Sequence, residues 1–361
     1  MSELRKDPTS NSWVVIASER GKRPHDFKIP PVEKKATTCP FCYGNEPQTP
    51  PEILALGRET GGPNEPGWKV RVVPNKFPAL SPHAAGHNAG PGVEPEHGEL
   101  YVHSPGVGAH EVLIESPDHD GTFGTHSQEQ MEAILKAVVL RFMELHRDDR
   151  LKYPQFFKNS GRIAGASLEH THCQLIATPS IPAVVKEELN ATRESWEARG
   201  RCVFCTMMEE ELARERRIVA ETAHSLVFCP YASRFPYETW IVPKKHIARF
   251  EETPGEIIKD IAYALRTTFA KLEKAFTFLP YNLVLHTAPW GEMNDESNNR
   301  NDGGNRGAHE THETSYKTYF HWHIEILPRL TIIAGFELGT GYYINPTAPE
   351  LAAPTIREVQ V

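Results

Sequence analysis

The sequence predicts an α+β fold of two tandem units, each an antiparallel sheet with one long helix, related by pseudo-twofold symmetry. Three observations predict it. One order of motifs occurs twice along the 361 residues, each copy contains one long helical stripe, and each closes on a short strand with two histidines spaced two apart. The length suits two halves of about 150 residues each. They are assigned as residues 1–190 and 191–361, with the boundary in the polar run from Lys186 to Arg201.

Each unit opens with a C-x-x-C pair, Cys39/Cys42 and then Cys202/Cys205. An aromatic-proline turn follows, at 74–78 and again at 230–236. Next comes an apolar strand that leads to a proline and a histidine, from Glu111 to His119 and from Glu238 to His246. Ser127 with Gln130 forms a capping-box pattern, followed by Met131, Ile134, Leu135, Val138, Val139 and Phe142 at helical spacing. In the second unit Thr253 is the expected cap, Pro254 the first helical residue and Glu256 the closing acid, ahead of a stripe from Ile257 to Phe276. These stripes are core-facing. The closing strands carry His170-Thr171-His172-Cys173-Gln174 and His321-Trp322-His323-Ile324-Glu325. Residues two apart in a strand face the same side, so the histidines of each pair project together. The segments 81–108 and 291–315 read as loops.

Composition narrows the function. Apolar residues make up 39%, charged residues 24%, and the formal net charge is −8. No Lys/Arg-rich run is present, so a nucleic-acid face is not expected. The N-terminus has no apolar signal region and no stretch approaches the length of a membrane span, which predicts a cytoplasmic protein without a membrane partner. In that compartment the C-x-x-C pairs indicate metal ligation or redox chemistry rather than disulfides.

Two thiolates and two imidazoles complete a tetrahedral shell suited to zinc. The first set is Cys39, Cys42, His119 and His170, and the second is Cys202, Cys205, His246 and His321. Four protein ligands close a site, so zinc would hold loops in place rather than activate water. The second metal, zinc or iron, has an alternative set in Glu188, His286, His321 and His323, with His321 shared between the two arrangements.

Upstream of His170 lies a stretch with small residues around Asn159, Gly161, Gly165, Ala166 and Ser167. Small residues let backbone N–H groups approach a phosphate. A neutral imidazole beside them is a nucleophile for phosphorus, and the resulting phosphoramidate hands its group on. With His170 fixed by metal, His172 is the free nucleophile, and Gln174 on the same strand face is placed to bind a phosphate oxygen. Arg20, Lys22 and Arg23 are further phosphate-binding candidates or a solvated turn.

With these motifs assembled, nearly the whole chain resembles the galactose-1-phosphate uridylyltransferase family of the histidine triad superfamily. The carriers are R-x-x-R-P, C-x-x-C, S-P-D-H, N-x-G-x-x-x-G-x-S, H-x-H-x-Q and the late H-x-H. The resemblance implies two histidine-triad-like halves and a ping-pong transfer of UMP from UDP-glucose to galactose-1-phosphate, through a uridylyl-histidine on His172. By motif it implies phosphoryl contact by Gln174, nucleotide and phosphate contacts by Asn159, Gly165 and Ser167, and uridine contacts by Asn75 and Phe77. It also implies a hexose-hydroxyl contact by Glu337, and Arg20 and Arg23 reaching a sugar nucleotide across a homodimer. This chain has Thr171 where the family usually has proline. Its second C-x-x-C and its 335–346 segment resemble a plant branch that acts as an ADP-glucose phosphorylase, in which the same histidine would pass AMP to inorganic phosphate.

Overall fold

The computed structural model describes residues 2–22, 39–83, 94–95, 102–290 and 315–361. At its centre is a ten-stranded antiparallel sheet. In chain order its strands are β1 (Leu54–Leu56), β2 (Val70–Pro74), β3 (Ala109–Ile114), β4 (Tyr153–Ser160) and β5 (His172–Thr178). The second five are β6 (Ile218–Glu221), β7 (Ser225–Phe228), β8 (Thr239–Pro243), β9 (Tyr281–His286) and β10 (His323–Pro328). Across the sheet they run β6-β7-β8-β10-β9-β4-β5-β3-β2-β1. From either edge the order is the same: three strands in sequence, then the fifth, then the fourth. The halves meet where β4 pairs with β9, with Ser160 opposite Tyr281 and Phe156 opposite Leu285. The sequence repeat is therefore a palindrome of strands about one seam, within a single continuous sheet.

Both histidine strands are interior to the sheet. β5 lies between β3 and β4, and β10 between β8 and β9. Their alternation decides which side chains meet the helices. In β5, Cys173 and Leu175 enter the main core with Met131, Ile134, Leu135, Val138 and Phe142 of α1 (Gln128–Leu145). Burying each such aliphatic or aromatic side chain contributes about 1.5–3 kcal/mol. His172 and Gln174 must then point to the opposite face. In β10, Ile324 and Ile326 enter the same core, leaving His323 and Glu325 on the other face.

The two core helices start differently. Ser127 caps α1 as its spacing predicts, its hydroxyl accepting from Gln130 N at 3.1 Å. The Gln130 side chain does not close the box, and donates instead to the carbonyls of Lys69 and Glu115. Pro254, not Thr253, is the N-cap of the second long helix, Gly255–Ala275. The Pro254 carbonyl takes the first helical bonds from Ile257 and Ile258, while Thr253 ends the short 3-10 turn before it.

The polar run placed at the boundary between halves is helix α2 (Ala183–Arg199), followed at once by α3 (Val203–Arg214). Val185, Glu188, Leu189 and Thr192 of α2 are buried. Two of those four are polar, which is why the stripe does not stand out in sequence. A small sheet joins the chain ends, with Trp13–Ile16 pairing antiparallel to Glu3–Lys6 and parallel to Tyr343–Asn345. Of the segments read as loops, 84–93, 96–101 and 291–314 lie outside the described residues. Ser81 bridges Val107, and Ser315 caps the short helix Tyr316–Tyr319.

Candidate active site and metal centres

Both predicted Cys₂His₂ sets are assembled. In each, the four ligand atoms lie within 4.8 Å of one another. In the first, Cys39 Sγ and Cys42 Sγ each lie 3.5 Å from His170 Nδ1, and Cys42 Sγ lies 3.3 Å from His119 Nδ1. In the second, Cys205 Sγ lies 3.6 Å from His246 Nδ1 and 3.7 Å from His321 Nδ1.

The outer nitrogens test whether these sets fit a cation. His170 Nε2 is 2.8 Å from the Ser116 carbonyl, His321 Nε2 is 2.9 Å from the Pro243 carbonyl, and His246 Nε2 is 2.9 Å from the Lys317 carbonyl. A carbonyl only accepts, so each Nε2 carries the proton and each Nδ1 turns a lone pair toward sulfur. Lone pairs and sulfurs converging within 4.8 Å form the donor set of a tetrahedral cation site, and the carbonyls supply the outer contacts typical of metal-bound histidine. Burial, then the neighbouring Cys39 sulfur, pushes the Cys42 thiol up to about 11, so a thiolate there needs a positive charge beside it.

His321 belongs to the cysteine set, which removes it from the alternative set proposed with Glu188. Glu188, His286 and His323 nevertheless form a third group with ligand atoms within 4.8 Å. His286 Nδ1 is 2.8 Å from Glu188, and its Nε2 is 3.5 Å from Glu325. Although burial opposes it, the Glu188 and Glu325 carboxylates push His286 up to about 10. Glu188 Oε1 and His323 Nε2 have no hydrogen-bond partner and face each other at 3.5 Å.

His172 stands at the start of β5, opposite Ile114. Its Nδ1 is 2.8 Å from the His170 carbonyl, so Nδ1 carries the proton and Nε2 keeps a free lone pair. The Phe41 ring, from the first C-x-x-C turn, meets it edge-on at 5.5 Å. Burial lowers the His172 pKa from its ordinary value, the His170 carbonyl opposes this, and the Lys158 ammonium adds to the lowering. The imidazole is thereby biased toward its neutral form. Beneath the strand, on the helix side, Thr171 takes part in a buried ion pair. Its hydroxyl lies 2.5 Å from Lys158 Nζ and from Glu115 Oε2, and Lys158 also contacts Glu115 directly.

Gln174 shares the His172 face, and its Oε1 lies 2.8 Å from His110 Nε2. Asn75 meets the same ring, its Nδ2 3.0 Å from His110 Nε2. Phe77 is 83% exposed and so presents a free ring beside Asn75. Phe157 pairs with Gln174 across β4 and β5, so Asn159, two residues on, lies on the same face. Asn282 donates to Asn159 Oδ1 at 2.8 Å and to the Ala164 carbonyl at 2.8 Å, tying β4 to the small-residue turn. Gly165 has φ +91°, a left-handed conformation that glycine adopts without cost. Ser167 is exposed after it.

Two substrate candidates sit elsewhere. Arg20 is exposed in the 3-10 turn Ser18–Lys22, which continues from the small sheet. Glu337 lies in the first turn of the helix Gly335–Thr340, where it accepts from Ala334 N at 3.1 Å. Both are thus attached to the small sheet rather than to the strands that carry His172. Arg23 lies outside the described residues. His110, Asn282, Lys158 and Glu115 were not singled out from the sequence. The S-P-D-H motif begins one residue after Glu115, and that adjacency was the available signal.

A paired-histidine strand with one shielded, neutral imidazole, beside two Cys₂His₂ sets, defines a nucleotidyltransferase in the light of the known proteins it matches. Residues 1–182 match the model of the galactose-1-phosphate uridyl transferase N-terminal domain, and residues 152–339 match that of its C-terminal domain. The chain belongs to the galactose-1-phosphate uridylyltransferase family. It is 33% identical to an ADP-glucose phosphorylase of Arabidopsis thaliana, covering 99% of this chain and 93% of the relative. It is 30% identical to a galactose-1-phosphate uridylyltransferase of Thermotoga maritima, covering 100% and 99%. The crystal structure of the Arabidopsis thaliana phosphorylase with bound ADP-glucose superimposes with a TM-score of 0.80 at 31% identity over 100% of both chains. A uridylyltransferase structure gives a TM-score of 0.70 at 27% identity, covering 99% of this chain and 98% of the other.

Proposed function

We propose that the protein is a UDP-glucose–hexose-1-phosphate uridylyltransferase working through a covalent uridylyl-histidine. His172 Nε2 attacks the α-phosphorus of UDP-glucose. The P–N bond forms as the bond to the bridging oxygen breaks, and glucose-1-phosphate leaves with the electron pair. A phosphate oxygen of galactose-1-phosphate then attacks the same phosphorus, giving UDP-galactose and returning the lone pair to Nε2. The observation that carries this reading is the His172 Nδ1 contact with the His170 carbonyl at 2.8 Å, which leaves Nε2 unprotonated. Gln174 would bind the phosphoryl oxygens, Asn75 and Phe77 the nucleoside, and Asn159, Gly165 and Ser167 the phosphates. Glu337 would bind a hexose hydroxyl, and Arg20 and Arg23 would reach the sugar nucleotide from a second copy in a homodimer.

Zinc in the Cys39 and Cys202 sets would keep the strands and turns around the nucleophile in place, a structural role. The two C-x-x-C pairs, each gathered with two histidines as thiolate donors, support a reducing, cytoplasmic setting. The repeated strand order supports a division into halves near residue 190.

A second reading has a specific observation behind it. The complete Cys202/Cys205/His246/His321 set accompanies the likeness to the Arabidopsis thaliana phosphorylase, so His172 would carry AMP from ADP-glucose to inorganic phosphate. Covalent trapping separates the two. Protein mixed with α-labelled UDP-glucose should take acid-labile label that chases into UDP-galactose, with His172→Ala as the unlabelled control. Label from ADP-glucose alone, chased into ADP by phosphate, replaces the first reading with the second. No label from either overturns both.

A further inference from the structure

We propose that His110 is a positioning residue that fixes the amide of Gln174, so that its NH₂ group faces the transferred phosphoryl group, and links that amide to the nucleoside-binding turn. This deepens the proposed function and rests on it. The tautomer of His110 follows from a backbone donor. Ala79 N–H donates to His110 Nδ1 at 3.0 Å, so Nδ1 holds a lone pair and the neutral ring carries its proton on Nε2.

That Nε2–H needs an acceptor, and two side chains are in reach. Asn75 Nδ2, at 3.0 Å, is itself a donor. The Asn75 amide cannot turn over, because its Oδ1 accepts from Phe77 N at 2.9 Å. Gln174 Oε1, at 2.8 Å, is therefore the acceptor. An amide whose oxygen is occupied presents its two N–H donors on the other side, on the strand face shared with His172. A phosphoryl group in transfer carries negative charge on its non-bridging oxygens, so donors set in advance stabilise it without reorganisation. A flipped amide would instead point an oxygen at that charge.

His110 is also tied to the 74–79 turn along its whole edge. Besides the Ala79 contact, the His110 carbonyl accepts from Asn75 N at 2.8 Å. A nucleoside held at Asn75 and Phe77 is thus two hydrogen-bonded steps from the phosphoryl ligand Gln174. Shifting the turn shifts the amide. The nitrogen that matters is Nε2, and a glutamine at position 110 places an amide N–H near the same point, whereas alanine offers nothing.

The test uses the full-length protein and two readouts. The first is the rate of single-turnover nucleotidyl transfer from UDP-glucose, or from ADP-glucose if that is the donor, to His172. It is measured in His110→Ala, Gln174→Ala and the double variant. His110→Ala should slow transfer on the order of tenfold or more, the scale of one charge-assisted hydrogen bond, with a smaller loss in donor binding through the Ala79 contact. In the Gln174→Ala background the same change should add almost nothing, and His110→Gln should recover most of the rate. An equal loss in both backgrounds overturns the proposal. The second readout, the side-chain amide NMR signal of Gln174, needs no turnover. It should move in His110→Ala and return in His110→Gln, and an unmoved signal overturns the proposal. If neither sugar nucleotide labels the protein, the proposed function falls and the NMR comparison alone decides the His110–Gln174 link.

Discussion

His172 Nδ1 lies 2.8 Å from the carbonyl of His170, whose own ring faces Cys39 and Cys42 through Nδ1. The candidate nucleophile is therefore oriented by the backbone of a candidate metal ligand. Removing the metal frees His170, and with it the carbonyl that holds the His172 tautomer. Wild-type protein should carry about two zinc ions per chain. His119→Ala should lose one of them, lower the Tm by at least several degrees, and depress covalent labelling of His172. Metal analysis, thermal unfolding and the trapping assay check this. Unchanged Tm and labelling after complete chelation would sink the structural role.

The pH dependence follows from the same ring. Burial and Lys158 lower the pKa of His172 from the ordinary histidine value of 6.5. The attacking form is the neutral one, so it predominates at pH 7 and its population falls as pH drops through the lowered pKa. Single-turnover labelling should be level from about pH 7 upward and decline on the acid side, with its midpoint below that of an unperturbed histidine. A midpoint above 6.5 would contradict this environment.

Thr171 stands between the paired histidines and makes two contacts that a proline could not, to Lys158 and Glu115. The Glu115 side chain is fully buried and that of Lys158 is 3% exposed, so neither charge can turn to water. Thr171→Val keeps the shape and deletes the hydroxyl, which should cost about 1–3 kcal/mol. Thr171→Ser should retain most of the stability. Lys158→Met strands a buried carboxylate and should cost about 3–5 kcal/mol. Urea unfolding of the three variants gives the order, and a Thr171→Val protein as stable as wild type would refute it.

Much of this arrangement is legible in the residues because it rests on short-range rules. Period-two alternation puts His172 and Gln174 on one face, and the Ser127 hydroxyl caps a helix at its predicted place. Two C-x-x-C turns with matched histidines foretell two four-ligand clusters. What stayed hidden depends on register between distant strands. Asn282 reaches Asn159 only because β9 pairs with β4, a contact across 123 residues. His110 meets Gln174 because β3 pairs with β5. Helix α2 is obscured by Glu188 and Thr192, polar side chains that its buried face accommodates because Glu188 meets His286 and Thr192 bonds back to the Glu188 carbonyl.

The second half supplies an internal control for the nucleophile. His323 starts β10 as His172 starts β5, and its Nδ1 likewise approaches the carbonyl two residues back, His321, at 3.2 Å. Its surroundings differ. His323 is fully buried, stacked with Trp240 at 5.0 Å and with His286 at 4.8 Å, and its Nε2 faces Glu188 at 3.5 Å. His172 is 8% exposed, and among the described residues no carboxylate is a hydrogen-bond or ion-pair partner of its Nε2. A nucleotide phosphate brought to His323 would meet the Glu188 carboxylate, already paired with His286, and the Trp240 ring. His323→Ala should therefore still accept one nucleotidyl group on His172, while losing stability because Glu188 and His286 lose a buried neighbour. His172→Ala should accept none. Peptide mapping of the labelled proteins checks both, and label found on His323 in the His172→Ala protein would show that the half-repeat retains a second working nucleophile.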